Sequence, residues 1–356
     1  MYLSFRNRKI TGILSVVPQN TARFEDEVGN YAFPPEQTLA LKKMMGYNVH
    51  RICKSGNACI SDLVKFGFNF LFENGLLAPA DVDAFILLSN SPDYPVPPTS
   101  NILQGELGFK EDCICLDINQ GCAGFMVGLM QAFVLLEQEE VRKVAVVTAD
   151  IESRTHSFRD RASFPLMGDA ATITIVERGD SAPIHQFIKM NGNGAKSIMM
   201  PAGGLKCPAS EETLRWADDG NGNVMTGHHI RMDGGEIFNF VMKVVPKMFF
   251  DVFEKYGLGF DDVDFLMVHQ PNKFLLSRLA KKLGVTLEKM PANVVENLGN
   301  SAGSTIPNDI TLNIGTALEE RSYKLCLAAF GEGLIWSATI LDVGPLAFCR
   351  LIEADL

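Results

Sequence analysis

The chain has 356 residues, 47% of them apolar and 21% charged, with a formal net charge of −10. That length supports one large domain or two ordinary ones with ample core, and the acidic balance argues against a nucleic-acid partner. Eight cysteines contain no Cys-x-x-Cys pair, so no metal site is expected and the thiols read as those of a reduced, cytoplasmic protein.

The first stretch, MYLSFRNRKITGILSVVPQN, places basic residues before a short apolar run. The run ends at Pro18 without a small-residue cleavage site, so it reads as a β-strand rather than a signal peptide. A helix is expected over 58–74, then a buried strand in ENGLLAPADVDAFILLSNSP (73–92). LDINQGCAGFMVGLMQAF (116–133) runs from a short strand through Gln120-Gly121 into Cys122 and a helix over 123–138. Gln131 interrupts its apolar stretch, which falls short of the roughly 20 residues a membrane span needs. VRKVAVVTAD (141–150) is a further strand, and the Gly-, Asn- and Asp-rich segment 192–229 reads as a surface excursion or lid. Helices over 236–256, 272–283 and 306–319 alternate with strands in EKYGLGFDDVDFLMVHQPN (254–272) and YKLCLAAFGE (323–332). Continuous apolar strands separated by helices predict an α/β fold, with largely parallel strands covered on both faces.

Two of these segments repeat. Each contains Gly-Leu, an acidic turn, Asp-Val-Asp and a buried strand; Asp83 precedes Lys143 by 60 residues and Asp264 precedes Lys324 by 60. Matching order and spacing argue for an internal duplication, with one half over 1–180 and the other over 181–356. Cys122 falls in the first half, His269 and Asn300 in the second. Superposing the halves brings the strand ends that carry them together, where ligand sites of α/β sheets lie.

A lone cysteine is most often a small buried hydrophobe. Cys122 differs because it opens a helix, where free N–H groups favour a thiolate, and because Gly121, Ala123 and Gly124 allow a substrate close. Cys113, Cys115 and Cys326 keep the core reading. In isolation His269 reads as a satisfied buried histidine and Asn300 as a cap of the helix near Ser304; the three residues together read as a site.

The motifs GCAGF around Cys122, RASFPLMGDAA (161–171), HQPN (269–272), GNSAGSTIP (299–307) and FGEGLIWSA (330–338) resemble those of the thiolase superfamily. The most similar group is β-ketoacyl-acyl-carrier-protein synthase III, over about Lys9 to Leu341. The resemblance implies a five-layered αβαβα fold of two duplicated halves, and a homodimer. It implies no cofactor beyond acyl-CoA or acyl-carrier-protein thioesters as substrates. It further implies decarboxylative Claisen condensation, as in fatty acid or polyketide synthesis. Cys122 would be the nucleophile, and His269 and Asn300 would hold the malonyl thioester carbonyl. The backbone N–H groups of Cys122 and Glu332 would form the oxyanion hole, with Phe330 beside the leaving carboxylate. Arg161 and Asn272 would lie at the nucleotide and phosphopantetheine side, Phe238 in the pantetheine tunnel, and Val96 in an acyl pocket shaped across the dimer.

Two features depart from that group. Residues 39–52 lack the aromatic-plus-arginine pair that holds the CoA adenine, and Lys273-Phe274 replace an arginine after HQPN. A carrier-protein donor, met by Lys243, Lys247, Lys273, Lys281 and Lys282, becomes the expectation, in a specialised rather than a housekeeping enzyme. The same acyl-cysteine could instead serve an alcohol or amine acceptor, and a chain of this fold could be a non-catalytic partner subunit. Asn300 in place of an acid favours condensation. A papain-like hydrolase also runs Cys, His, Asn, but the flanks of Cys122 do not match it and the internal repeat is foreign to it.

Overall fold

Arg8–Pro18 (β2), buried without a break from Gly12 onward, starts the first of two sheets in this computed structural model, which describes all 356 residues. Its companions are Ala84–Leu88 (β3), Ile114–Ile118 (β4), Lys143–Asp150 (β5), Ala170–Arg178 (β6) and Phe348–Ala354 (β11), in the order β11-β2-β6-β5-β3-β4. The second sheet is built from Tyr2–Phe5 (β1), Ile184–Met190 (β7), Phe265–Val268 (β8), Tyr323–Gly331 (β9) and Ile335–Val343 (β10), in the order β1-β7-β10-β9-β8.

Three apolar clusters fix the layering. One joins inward residues of both sheets (Ile86 and Leu327 among them) to the helices Gly124–Leu135 (α3) and Thr305–Glu320 (α6). A second seats Ile60–Glu73 (α1) and Thr99–Leu107 (α2) on the outer face of the first sheet. A third seats Gly234–Lys255 (α4) and Lys273–Leu283 (α5) on the outer face of the second. The result is αβαβα. Both faces of each sheet are covered, which is why the central strands carry no polar alternation. The Phe68 ring meets Phe85 and Phe109 edge-on at 5.8 and 5.2 Å, and burying each such ring contributes about 1.5–3 kcal/mol.

The repeat has a physical basis. Asp83 accepts the Lys143 N–H at 3.0 Å, and Asp264 accepts the Lys324 N–H at 2.7 Å. In each half one carboxylate thus pins the start of two neighbouring strands. The helices over 58–74, 123–138, 236–256, 272–283 and 306–319 all form, with ends shifted by three residues or fewer.

Three features differ from the sequence reading. The sheets are mixed rather than largely parallel: β6 runs antiparallel to both β2 and β5, and β10 to both β7 and β9. Only residues 332–334 link β9 to β10, and a link that short permits no crossover. The termini also cross a division at residue 180, since β1 pairs with β7 in the second sheet and β11 with β2 in the first. Finally, α2 was not expected. Its first N–H groups, of Thr99 and Ser100, are capped at 2.7 and 2.9 Å by Asp117 from β4, a signal with no local trace.

Candidate active site

Cys122 sits in the turn just before α3, against the last residue of β9. A side chain at Gly331 would place its Cβ 2.4 Å from the Cys122 Cβ, so only glycine lets that strand end approach. The next residue, Glu332, turns its side chain back: Oε1 accepts the Cys122 N–H at 2.8 Å and the Asn90 Nδ2–H at 3.2 Å. The Cys122 N–H expected in an oxyanion hole is therefore engaged by a carboxylate in the resting site. The Glu332 carbonyl accepts from Gln120 Nε2 at 3.3 Å.

The helix terminus expected to favour a thiolate at Cys122 is opposed by its surroundings. Burial first, and the Glu332 carboxylate second, push the Cys122 thiol well above its ordinary range. A helix terminus contributes about 0.3–1 kcal/mol to a nearby charge, whereas taking that charge out of water costs several. Desolvation wins, and the resting group is a neutral thiol.

His269 follows β8 and is 2% exposed. Its ring meets the buried Phe330 edge-on at 5.7 Å, and burial pushes its pKa down to about 3, so the imidazole is neutral. Nδ1 lies 2.7 Å from Thr305 Oγ1, which is itself 3.0 Å from the Ala302 carbonyl. That hydroxyl has one proton. When it turns to Nδ1, His269 presents an Nε2–H donor.

Asn300 is held by two backbone bonds to the RASFPLMGDAA loop: its N–H donates to the Leu166 carbonyl at 2.5 Å, and its carbonyl accepts from Gly168 N at 3.0 Å. Its Oδ1 accepts the Ala302 N–H at 3.1 Å, which leaves Nδ2 as the free donor. Asn300 therefore does not cap the helix that begins at Thr305; its side chain bonds the turn before it and lines the pocket.

Two cavities meet here. One of about 70 Å³ is bounded by Cys122, Asn90, Glu152, His156, Asn300 and Glu332, among others. Asn300, Met167 and Met232 also line a second, of about 580 Å³, whose wall carries Phe238, Phe274, Asn272 and Arg161. Phe238 and Phe274 stack at 5.9 Å. Asn272 also caps α5, its Oδ1 accepting from Leu275 N at 2.8 Å. The 192–229 excursion acts as cover, because Ile198 pairs with Met232 and both border the Cys122 pocket. Val96 is 80% exposed and lines neither cavity of a single chain.

Upstream of the 39–52 window, Phe33 takes the Arg161 side chain directly onto its ring, with the guanidinium 3.3 Å from the centroid. Three of the five lysines expected to meet a carrier protein have partners within the chain: Lys273 pairs with Glu296 at 2.7 Å, Lys247 with Asp251 at 2.6 Å, and Lys282 donates to the Met242 carbonyl at 2.6 Å. Sequence reasoning did not single out Asn90, Glu152, His156, Thr305 or Phe33. Asn90 had a signal, since the repeat aligns it with the strand end that carries His269; the others reach the site only through the fold.

Residues 116–193 match the family model for 3-oxoacyl-[acyl-carrier-protein] synthase III, and 253–343 match that of its C-terminal part. The chain is 30% identical over 330 residues to the β-ketoacyl-[acyl-carrier-protein] synthase III of Caldanaerobacter subterraneus, covering 88% of this chain and 96% of that one. It is 30% identical over 334 residues to that of Clostridium acetobutylicum, covering 94% and 98%. A 3-oxoacyl-(acyl-carrier protein) synthase structure from Burkholderia xenovorans superposes with a TM-score of 0.90 at 31% identity, over 99% of both chains.

Proposed function

We propose a site mechanism for a chain that belongs to the 3-oxoacyl-[acyl-carrier-protein] synthase III family and condenses an acyl thioester with a malonyl-type thioester, with loss of carbon dioxide. Cys122 takes the acyl group first: its sulfur bonds the acyl carbon, the bond to the donor sulfur breaks, and the thiol proton leaves with the donor thiolate. The malonyl-type thioester then enters, and His269 and Asn300 donate hydrogen bonds to its thioester carbonyl. The bond to its carboxylate breaks, carbon dioxide departs past Phe330, and the enolate held by the two donors attacks the acyl-cysteine carbonyl. The carbon–sulfur bond to Cys122 breaks, and the thiolate recovers a proton. Glu332 must turn away from the Cys122 N–H before that N–H, with its own, can hold the acyl oxyanion.

One observation carries this reading: Cys122 and Asn300 share a pocket that meets a channel-sized cavity along Asn300, Met167 and Met232. Arg161 and Phe33 lie in the wall of that cavity, on the side from which a thioester donor would enter. The acyl acceptor is a carrier-protein thioester, the working unit is a homodimer, and the compartment is the cytoplasm. No helix is long and apolar enough to cross a membrane.

Intact-protein mass spectrometry tests the assignment. Acyl-CoA and acyl-carrier donors, compared side by side, should add acyl mass at Cys122 and nowhere else. His269→Ala and Asn300→Ala should keep that acylation while condensation falls by about 100-fold or more. Wild-type product formation in Asn300→Ala would remove Asn300 from the mechanism.

A further inference from the structure

The pocket of about 70 Å³ at Cys122 holds more acid than condensation needs. Glu152 and Glu332 both line it, with Asn90 and His156, and no lysine or arginine does. Glu152 is 3% exposed. Its Oε2 accepts the Thr155 hydroxyl at 2.8 Å and lies 3.2 Å from His156 Nδ1, while no hydrogen bond of the chain reaches its Oε1. Two residues earlier in the chain, Asp150 Oδ2 is buried without a partner. Ile198 and Ile230 supply apolar wall beside these groups.

A hydrocarbon chain in this pocket would displace water from the Glu152 carboxylate and offer no donor in return. Burying a polar group unpaired is among the costlier contacts a binding site can make. The space is also small. At about 10–15 Å³ for each water-sized group, 70 Å³ holds on the order of five non-hydrogen atoms.

Building on the acyl-Cys122 reading, we propose that this pocket selects a short acyl group, of about two to four carbons by that volume, bearing a hydroxyl or an ammonium, with Glu152 as the acceptor that reads the substituent. The methylenes lie on Ile198 and Ile230, and the donor hydrogen fills the free lone pairs of Glu152. Glu152 is then a specificity residue.

Competition on the full-length protein tests this. Butyryl-CoA is mixed in turn with 3-hydroxybutyryl-CoA, β-alanyl-CoA and octanoyl-CoA, and the acyl mass on Cys122 is followed with time. A hydroxy- or aminoacyl donor should win over butyryl by at least about tenfold, and octanoyl should lose. Glu152→Leu should reverse the order toward butyryl. Glu152→Gln, which keeps the shape and removes the charge, should reduce the advantage of β-alanyl more than that of 3-hydroxybutyryl, so a poorly folding leucine variant leaves the idea open to refutation. Butyryl or octanoyl acylating the wild type as fast as both polar donors overturns the inference and leaves the acyl-cysteine reading intact. Acyl mass from no donor overturns both.

Discussion

Cys122 stands where two opposing effects meet, and their sizes decide its state. The helix end favours a thiolate weakly; burial and the Glu332 carboxylate oppose it more strongly. Removing the Glu332 charge should therefore lower the thiol pKa. In Glu332→Gln, the midpoint of iodoacetamide labelling of Cys122 against pH should move down, and labelling at pH 8 should quicken by about tenfold for each pH unit the midpoint falls. An unchanged or slower rate would show that Glu332 does not act on the thiol. His269 gives a second test. Burial holds its pKa near 3, against 6.5 for the ordinary group. Between those values the unfolded chain binds a proton that the folded chain refuses, so this group costs stability as pH falls below about 6.5, with the full loss near 3. Between about pH 5 and 8, decarboxylation of the malonyl thioester should accordingly show no acid limb from His269. A limb near 6.5 that disappears in His269→Gln would mean the imidazole titrates in the folded site.

Among the elements, the loop carrying Asn300 depends on backbone meeting backbone. Gly299 has φ of +86°, and a Cβ there would stand 2.8 Å from both Gly168 Cα and Gly168 N. The left-handed conformation costs a non-glycine residue about 1–2 kcal/mol before any clash is counted. Gly299→Ala should push this loop off the RASFPLMGDAA segment and carry Asn300 with it. Condensation should fall by about 100-fold, the penalty for roughly 1 Å of misplacement, while acylation of Cys122 persists. Equal loss of both half-reactions, with a lower melting temperature, would indicate general unfolding instead. The motifs flanking this contact were readable as motifs, but not that 161–171 and 299–307 touch. In the same way the start of α2 owes its cap to Asp117 on a neighbouring strand.

For the whole molecule, the segment 90–100 leaves Tyr94 58% and Val96 80% exposed, next to Asn90, which lines the Cys122 pocket and donates to Glu332. Such apolar exposure fits a surface covered by a second copy. Sedimentation should give the mass of two chains, and Val96→Glu should shift it toward one chain with loss of acylation; a wild-type monomer with full activity would refute the dimer. The αβαβα layering, the repeat and the five long helices were legible in the sequence, and so were Cys122 and Asn300 as pocket neighbours, whereas His269 lines neither cavity. Each rests on local pattern: apolar period, spacing, and residue type at a strand end. What only the tertiary structure decided depends on partners distant along the chain. The direction of β6 and β10, the crossing of the termini, Phe33 under Arg161 and the Glu332 side chain on the Cys122 N–H are of this kind. So is the neutral state of Cys122, because the water it loses is displaced by both halves at once. Sequence pattern records which residues prefer burial; the charge state of a buried group depends on what finally surrounds it.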